Sequence, residues 1–259
     1  MTGVQTCALP IYADPGPGPA IAQGALSAQV TVAGPDYAYL ADHQVGDAPV
    51  VPVATVLDWF AGAARAWRPT AASIAVRDLR VLDKISLPRL ADGGHRLVVR
   101  GHEAAAGPGL ALDLDLVDET GRMHYRASVA APAGPAVPAS GTWAAPAGLV
   151  PLTHPYDGVT LFHGPRFQAI RSDPAVGPAG AQCTVVGSRV LGWEKSSRHL
   201  DQAAVDGGLQ LAVLWARQAG AGSTLPMAIA ECRVHRAGVL EAEARCVVVA
   251  RRADGLRCR

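Results

Sequence analysis

His43 stands in the stretch Asp42-His43-Gln44-Val45-Gly46-Asp47-Ala48-Pro49-Val50-Val51-Pro52, which runs directly into the apolar segment Val53 to Trp67. Much later in the chain, Asp206 and Gln210 sit four residues apart in Asp206-Gly207-Gly208-Leu209-Gln210. An imidazole with an ordinary pKa near about 6.5 can take a proton at neutral pH, and a carboxyl kept neutral by burial can give one. Backbone N–H groups at a helix start, here around Val53, can polarise a carbonyl such as that of an acyl thioester. Taken alone, His43 also reads as an ordinary hydrogen-bonded loop histidine, and Asp206 with Gln210 as a solvated polar face.

Two helices must position these groups. Pro52 suits the first helical position, where the missing amide has no intrahelical partner. From there Val53, Val56, Leu57, Phe60, Ala61, Ala64 and Trp67 fall on one stripe, with Thr55, Asp58, Arg65 and Arg68 largely off it, and Pro69 closes the run. A second helix is expected from about Asp201 to Arg217. There Asp206 and Gln210 share one face, close enough for the amide to orient the carboxyl. Ala203, Ala204, Val205, Leu209, Leu211, Ala212, Val213 and Leu214 make that helix apolar nearly all round, so the carboxyl is expected to be partly buried and pushed toward its neutral form.

Strand signals surround both helices. They cover Leu26–Val32, Tyr37–Leu40, Ser73–Leu87, His95–Glu103, Leu110–Val117 and Arg122–Ala130 in the first half. In the second they cover Arg166–Ser172, Ala181–Val190, Met227–His235 and Glu241–Arg251. The clearest alternates Leu110, Leu112, Leu114 and Leu116 against Ala111, Asp113 and Asp115, and Glu119-Thr120-Gly121 turns it back on its neighbour. Each half thus reads as strands, one long apolar helix, then antiparallel strands. This predicts an α+β double hotdog, two antiparallel sheets each wrapped around a central helix.

The ends depart from this pattern. Met1 to Ile11, MTGVQTCALPI, resembles a translated sequencing-adapter remnant in assembled environmental DNA and is set aside as an artefact. The expected organisation is then a Pro/Gly-rich linker over 12–24, a first hotdog over 25–131, an Ala/Pro/Gly linker with Trp143 over 132–149, and a second hotdog over 150–259. The second copy is expected to be incomplete at the C-terminus, and the chain to be a fragment cut at both ends.

Bulk composition narrows the class. Of 259 residues, 49% are hydrophobic, ample for a core. Lysine and arginine total 23 against 22 acidic residues, and 5% are aromatic, which gives neither a basic surface nor a stacking platform for nucleic acid. No uncharged apolar run approaches the roughly 18 residues of a membrane span, so a cytoplasmic location is expected and no membrane partner. Cys7, Cys183, Cys232, Cys246 and Cys258 form no C-x-x-C pair and lack histidines at zinc-ligand spacing, so reduced structural thiols are expected. His95, His102, His124, His154, His199 and His235 carry no pattern of their own. Trp59, Trp67, Trp193 and Trp215 read as packing residues.

With His43, Asp206 and Gln210 in hand, the chain resembles the dehydratase domains of type I polyketide synthases, and more closely those of polyunsaturated-fatty-acid and enediyne synthases. The family pattern H-x-x-x-G-x-x-x-x-P falls on His43 to Pro52, and D-x-x-x-Q or D-x-x-x-H on Asp206 to Gln210. Y-G-P-x-F appears as His163-Gly164-Pro165-Arg166-Phe167. Two positions depart: the glycine four residues after the histidine is Asp47, with Gly46 one place early, and the tyrosine is His163, a ring donor of shorter reach.

The resemblance implies removal of water from a β-hydroxyacyl chain carried on the phosphopantetheine of an acyl carrier protein. His43 would act as base and Asp206 as acid, with Gln210, Pro52, Val53, Gly46, His163, Gly164, Pro165 and Phe167 supporting, and no metal or other cofactor. Expected partners are the acyl carrier protein, neighbouring synthase domains and a possible second copy. A non-catalytic scaffold or dimerisation element and a hotdog acyl-thioesterase remain the alternatives, since one fold hosts several chemistries.

Overall fold

The computed structural model describes residues 20–22, 25–71, 73–103, 111–130, 144–193, 199–221, 225–235, 237–252 and 256–258. The adapter-like segment 1–11, most of the linker 12–24, and the stretch 131–143 with Trp143 lie outside the described residues. In chain order come β1 Ala20–Ala22, β2 Ala25–Val32, α1 Val53–Trp67, β3 Ile74–Val81, β4 His95–Glu103, β5 Ala111–Asp118 and β6 Met123–Ala130. The second half supplies β7 Val150–Pro151, β8 Ile170–Gly177, β9 Gly180–Val185, α2 Gln202–Gln218, β10 Ala228–Val234, β11 Ala244–Arg252 and β12 Leu256–Cys258.

Period-two patterning explains the strands. In β2, Leu26, Ala28, Val30 and Val32 are buried while the residues between them are exposed. In β5, Leu112, Leu114 and Leu116 are fully buried. Tyr37–Leu40, expected as a strand, belongs instead to a 3-10 helix over Pro35–Asp42. Pro35 sets a helical φ at its start, and Tyr37, Tyr39 and Leu40 still reach the core from there. The expected strand at Arg166–Ser172 begins only at Ile170, because a short 3-10 turn takes Pro165–Phe167.

The sheets run antiparallel in the orders β1-β2-β4-β5-β6-β3-β10 and β12-β11-β9-β8-β7. The first packs on α1 through β2, β3, β4 and β6, and the second on α2 through β8, β9 and β11. This is the double hotdog expected from the element order. The sheets do not divide where the chain divides, since β10 from the second half pairs along β3 of the first.

The two units share a topology. Around α1 the first sheet reads β2-β4-β5-β6-β3 in space; around α2 the strands β9-β11-β12 repeat the order β2-β4-β5, and β10, the first strand after α2 as β3 is after α1, pairs with β3 itself. Among the described residues no strand takes the place of β6 between β12 and β10. A cleft of about 740 Å³ opens beside β10 and β11, lined by Val205, Cys232, Val234, Cys246 and Val247 among others.

Helix α1 spans the residues its apolar stripe indicated, but its polar side is also covered. Thr55 and Asp58, expected off the buried stripe, are 0% and 1% exposed. The cover is α2. Thr55 Oγ1 donates to Gln202 Oε1 at 2.9 Å, Gln202 Nε2 donates to Asp58 Oδ2 at 3.0 Å, and Leu200 N donates to Asp58 Oδ1 at 3.1 Å. Buried polar side chains are tolerable when bonded in this way, so the contact locks the two central helices together.

Candidate active site

His43 is held by its own loop. Pro52 is the N-cap of α1, with extended backbone, and not the first helical residue; its carbonyl accepts from Thr55 N and Val56 N. Just before it, Gln44 and Pro49 pair across a tight loop whose tip uses Gly46 at φ 76. That left-handed conformation is strained for a side chain and easy for glycine. The loop returns Val50 to His43: Val50 N donates to the His43 carbonyl at 2.9 Å, and Val50 O lies 3.0 Å from His43 Nδ1. A carbonyl only accepts, so Nδ1 carries the proton and the lone pair is on Nε2.

The segment around His163 closes over this loop. Gly164 N donates to Asp42 O at 2.9 Å, and Arg166 N to Asp42 Oδ2 at 2.8 Å. A Cβ at Gly164 would lie 2.8 Å from Asp42 Cγ, so only glycine permits the approach. Pro165 then opens the short turn that drops Phe167 into the core at 1% exposure. Phe167 packs against His43 with ring centroids 5.0 Å apart and against Trp193 at 4.6 Å. Behind them Tyr39 stacks on Trp193 at 4.1 Å, and Trp193 Nε1 donates to Arg166 O. Phe162 meets His43 edge-on and stacks on His163 at 4.3 Å.

Asp206 arrives from α2. Asp201 caps that helix, accepting from Ala204 N, Ser188 N, Ser188 Oγ and Leu240 N. Gly207 lets the helix backbone approach closely, since a Cβ there would be 3.0 Å from both Ala169 Cβ and Val185 Cγ1. Asp206 is 5% exposed, and Gln210 Nε2 donates to its Oδ2 at 2.7 Å and to Phe167 O at 2.8 Å. The expected Asp206–Gln210 pairing is therefore present, with a third partner that the helix spacing did not reveal.

His43, His163 and Asp206 bring donor atoms that all lie within 4.8 Å of one another. His163 Nε2 stands 3.7 Å from Asp206 Oδ2. Burial sets the proton affinities. It pushes His43 down to about 4 against the weaker pull of its hydrogen bonds, and pushes Asp206 up to about 7 against the lowering effect of Gln210. His163 is driven down to about 3, first by burial and then by the charge of His43. Near neutral pH the site holds two neutral imidazoles beside a carboxyl close to its midpoint. Such a set can remove one proton and supply another, and its N, N and O donors can also hold a cation.

The arrangement depends on residues without a legible pattern in sequence. Tyr156 donates to Gln210 Oε1 at 2.7 Å and accepts from Ile170 N at 2.8 Å, which fixes which end of the Gln210 amide faces Asp206. Phe162 and Asp42 could have been noticed only as neighbours of His163 and His43.

Residues 155–256 match the family model described as the polyketide synthase dehydratase N-terminal domain. No curated protein compared with the chain matches it. Among solved structures, the chain is similar to the dehydratase domain from the CurF module of curacin polyketide synthase, with 15% identity and a TM-score of 0.70, covering 92% of this chain and 94% of that one. It is similar to GphF dehydratase 1 at 22% identity and TM-score 0.67, over 94% of this chain and 85% of the other. A further match is a CurK dehydratase described as an inactive mutant with aspartate changed to asparagine, at 14% identity and TM-score 0.68, over 88% and 82%. These likenesses are of fold.

Proposed function

We propose that this chain, whose residues 155–256 match the polyketide synthase dehydratase model, removes water from a β-hydroxyacyl thioester carried on an acyl carrier protein. The observation that carries this reading is the facing pair of His43 and Asp206, two nearly buried groups with donor atoms within 4.8 Å and proton affinities shifted in opposite directions. In the CurK relative, changing an aspartate to asparagine gives a protein described as inactive, which accords with a carboxyl as acid.

His43 Nε2 takes the proton from the α-carbon. The backbone amides of Val53 and Ala54, which have no earlier carbonyl in α1 to bond, are available to stabilise charge on the thioester oxygen. Gln210 offers Asp206 Oδ2 only a donor, so the acid proton sits on Oδ1. That proton passes to the β-hydroxyl as the Cβ–O bond breaks; water leaves and the α,β double bond forms. The site then holds protonated His43 and ionised Asp206, and transfer of the proton from one to the other restores it.

The test is incubation of the purified protein with a β-hydroxyacyl thioester of a pantetheine analogue, followed by mass and absorbance. Enoyl thioester formed by the wild type and lost in His43→Ala and Asp206→Asn supports the assignment. Free acid would point to a thioesterase, and no turnover by a folded protein would favour the scaffold reading.

A further inference from the structure

His163 has a nearly buried imidazole whose bonding is incomplete. Its side chain is 8% exposed, its Nδ1 is shielded from solvent without a hydrogen-bond partner, and its Nε2 is 3.7 Å from Asp206 Oδ2, too long for a hydrogen bond. The nitrogen that faces Asp206 is Nε2, and with no hydrogen bond there it is left to take a ligand. Across from it, His43 has its Nδ1 proton engaged by the Val50 carbonyl, which aims a free lone pair on Nε2. Asp206 Oδ2, the oxygen nearest His163 Nε2, accepts from Gln210 and keeps a further lone pair.

The carbonyl behind His43 and the amide behind Asp206 are supports of the kind that orient ligands in metal sites. Two imidazoles and one carboxylate form a borderline donor set suited to zinc-like cations, with metal–ligand distances of about 2.0–2.2 Å and room for water in the fourth position. Donor atoms already within 4.8 Å of one another need side-chain shifts of only about 1 Å to reach those distances.

We propose that His43, His163 and Asp206 form a binding site for a single divalent cation of the zinc type, which excludes thioester substrate by occupying the His43 lone pair. The site rests on the donor set alone and does not require that the protein be a dehydratase.

The test is titration of tag-free, chelator-treated full chain with Co²⁺, read by visible absorption, and with Zn²⁺, read by calorimetry. The expected result is one ion per chain, with affinity lowered more than about tenfold in His163→Phe and in Asp206→Asn. Removal of the exposed His102–Asp113 pair by His102→Ala should leave binding unchanged. Circular dichroism checks the fold of each variant, and His163→Gln replaces the phenylalanine variant should that one not fold. Absence of binding by wild type up to millimolar metal, or wild-type binding by the folded His163 variant, overturns the proposal. Thioester turnover enters none of these readouts, so failure of the dehydration reading leaves the test intact.

Discussion

The Tyr156 hydroxyl donates to Gln210 Oε1 at 2.7 Å because its own oxygen is taken by the Ile170 N–H at 2.8 Å. A chain of three hydrogen bonds therefore decides that Gln210 gives Asp206 an N–H and not an oxygen. Replacing Tyr156 by Phe leaves the Ile170 amide and Gln210 Oε1 without that partner. The variant should lose about 1–3 kcal/mol of stability in denaturant unfolding. With Gln210 then oriented only by the Phe167 carbonyl, the donor that lowers the Asp206 pKa is lost part of the time, so the alkaline limb of the activity profile should move up. A limb that stays in place would show that the Phe167 carbonyl alone holds Gln210.

The proton affinities define a bell-shaped profile for kcat/KM, measured with chelator present so that the three side chains stay free. Activity should rise as pH climbs through about 4, where His43 loses its proton, and fall above about 7, where Asp206 loses the proton it must donate. Asp206→Asn should abolish the alkaline limb and lower the rate by more than about 100-fold.

Gly164 and Gly46 are required for different reasons, and alanine scanning separates them. At Gly164 the new methyl would meet Asp42 at 2.8 Å, forcing apart the two loops that carry His43 and His163. Gly164→Ala should cost about 1–3 kcal/mol and depress turnover with it. Gly46 has nothing within 4 Å, only its φ of 76, so Gly46→Ala should cost about 1 kcal/mol, with a smaller effect on turnover. Thermal unfolding and initial rates on the same preparations distinguish the two patterns.

The Thr55, Asp58 and Gln202 cluster ties α1 to α2 away from the reacting atoms. Gln202→Leu removes one donor to Asp58 and the acceptor used by Thr55. Stability should fall by about 1–3 kcal/mol, while the folded fraction keeps its pH profile. A shifted profile would mean that the helix contact also sets the distance between His43 and Asp206.

Much of this was legible along the chain because helix and strand periodicities are local. The apolar stripe from Val53 to Trp67 marks both ends of α1, and alternation in β5 follows from residues two apart. The Asp206–Gln210 bond follows from a spacing of four on a helix. Tyr37–Leu40 misled because its apolar residues are compatible with either period, and Pro35 tipped it to a 3-10 helix.

The sequence by itself determined the two helices, most strands and the choice of His43, Asp206, Gln210 and the segment around His163 as candidate site residues, since each is a matter of residue type and short spacing. Only the tertiary structure decided that Thr55 and Asp58 are buried, that β10 joins the first sheet, and that Tyr156 orients Gln210. It alone brought His163 beside His43 and Asp206. These contacts join residues far apart in the chain. Their geometry comes from how two sheets pack around two helices, which no local period encodes.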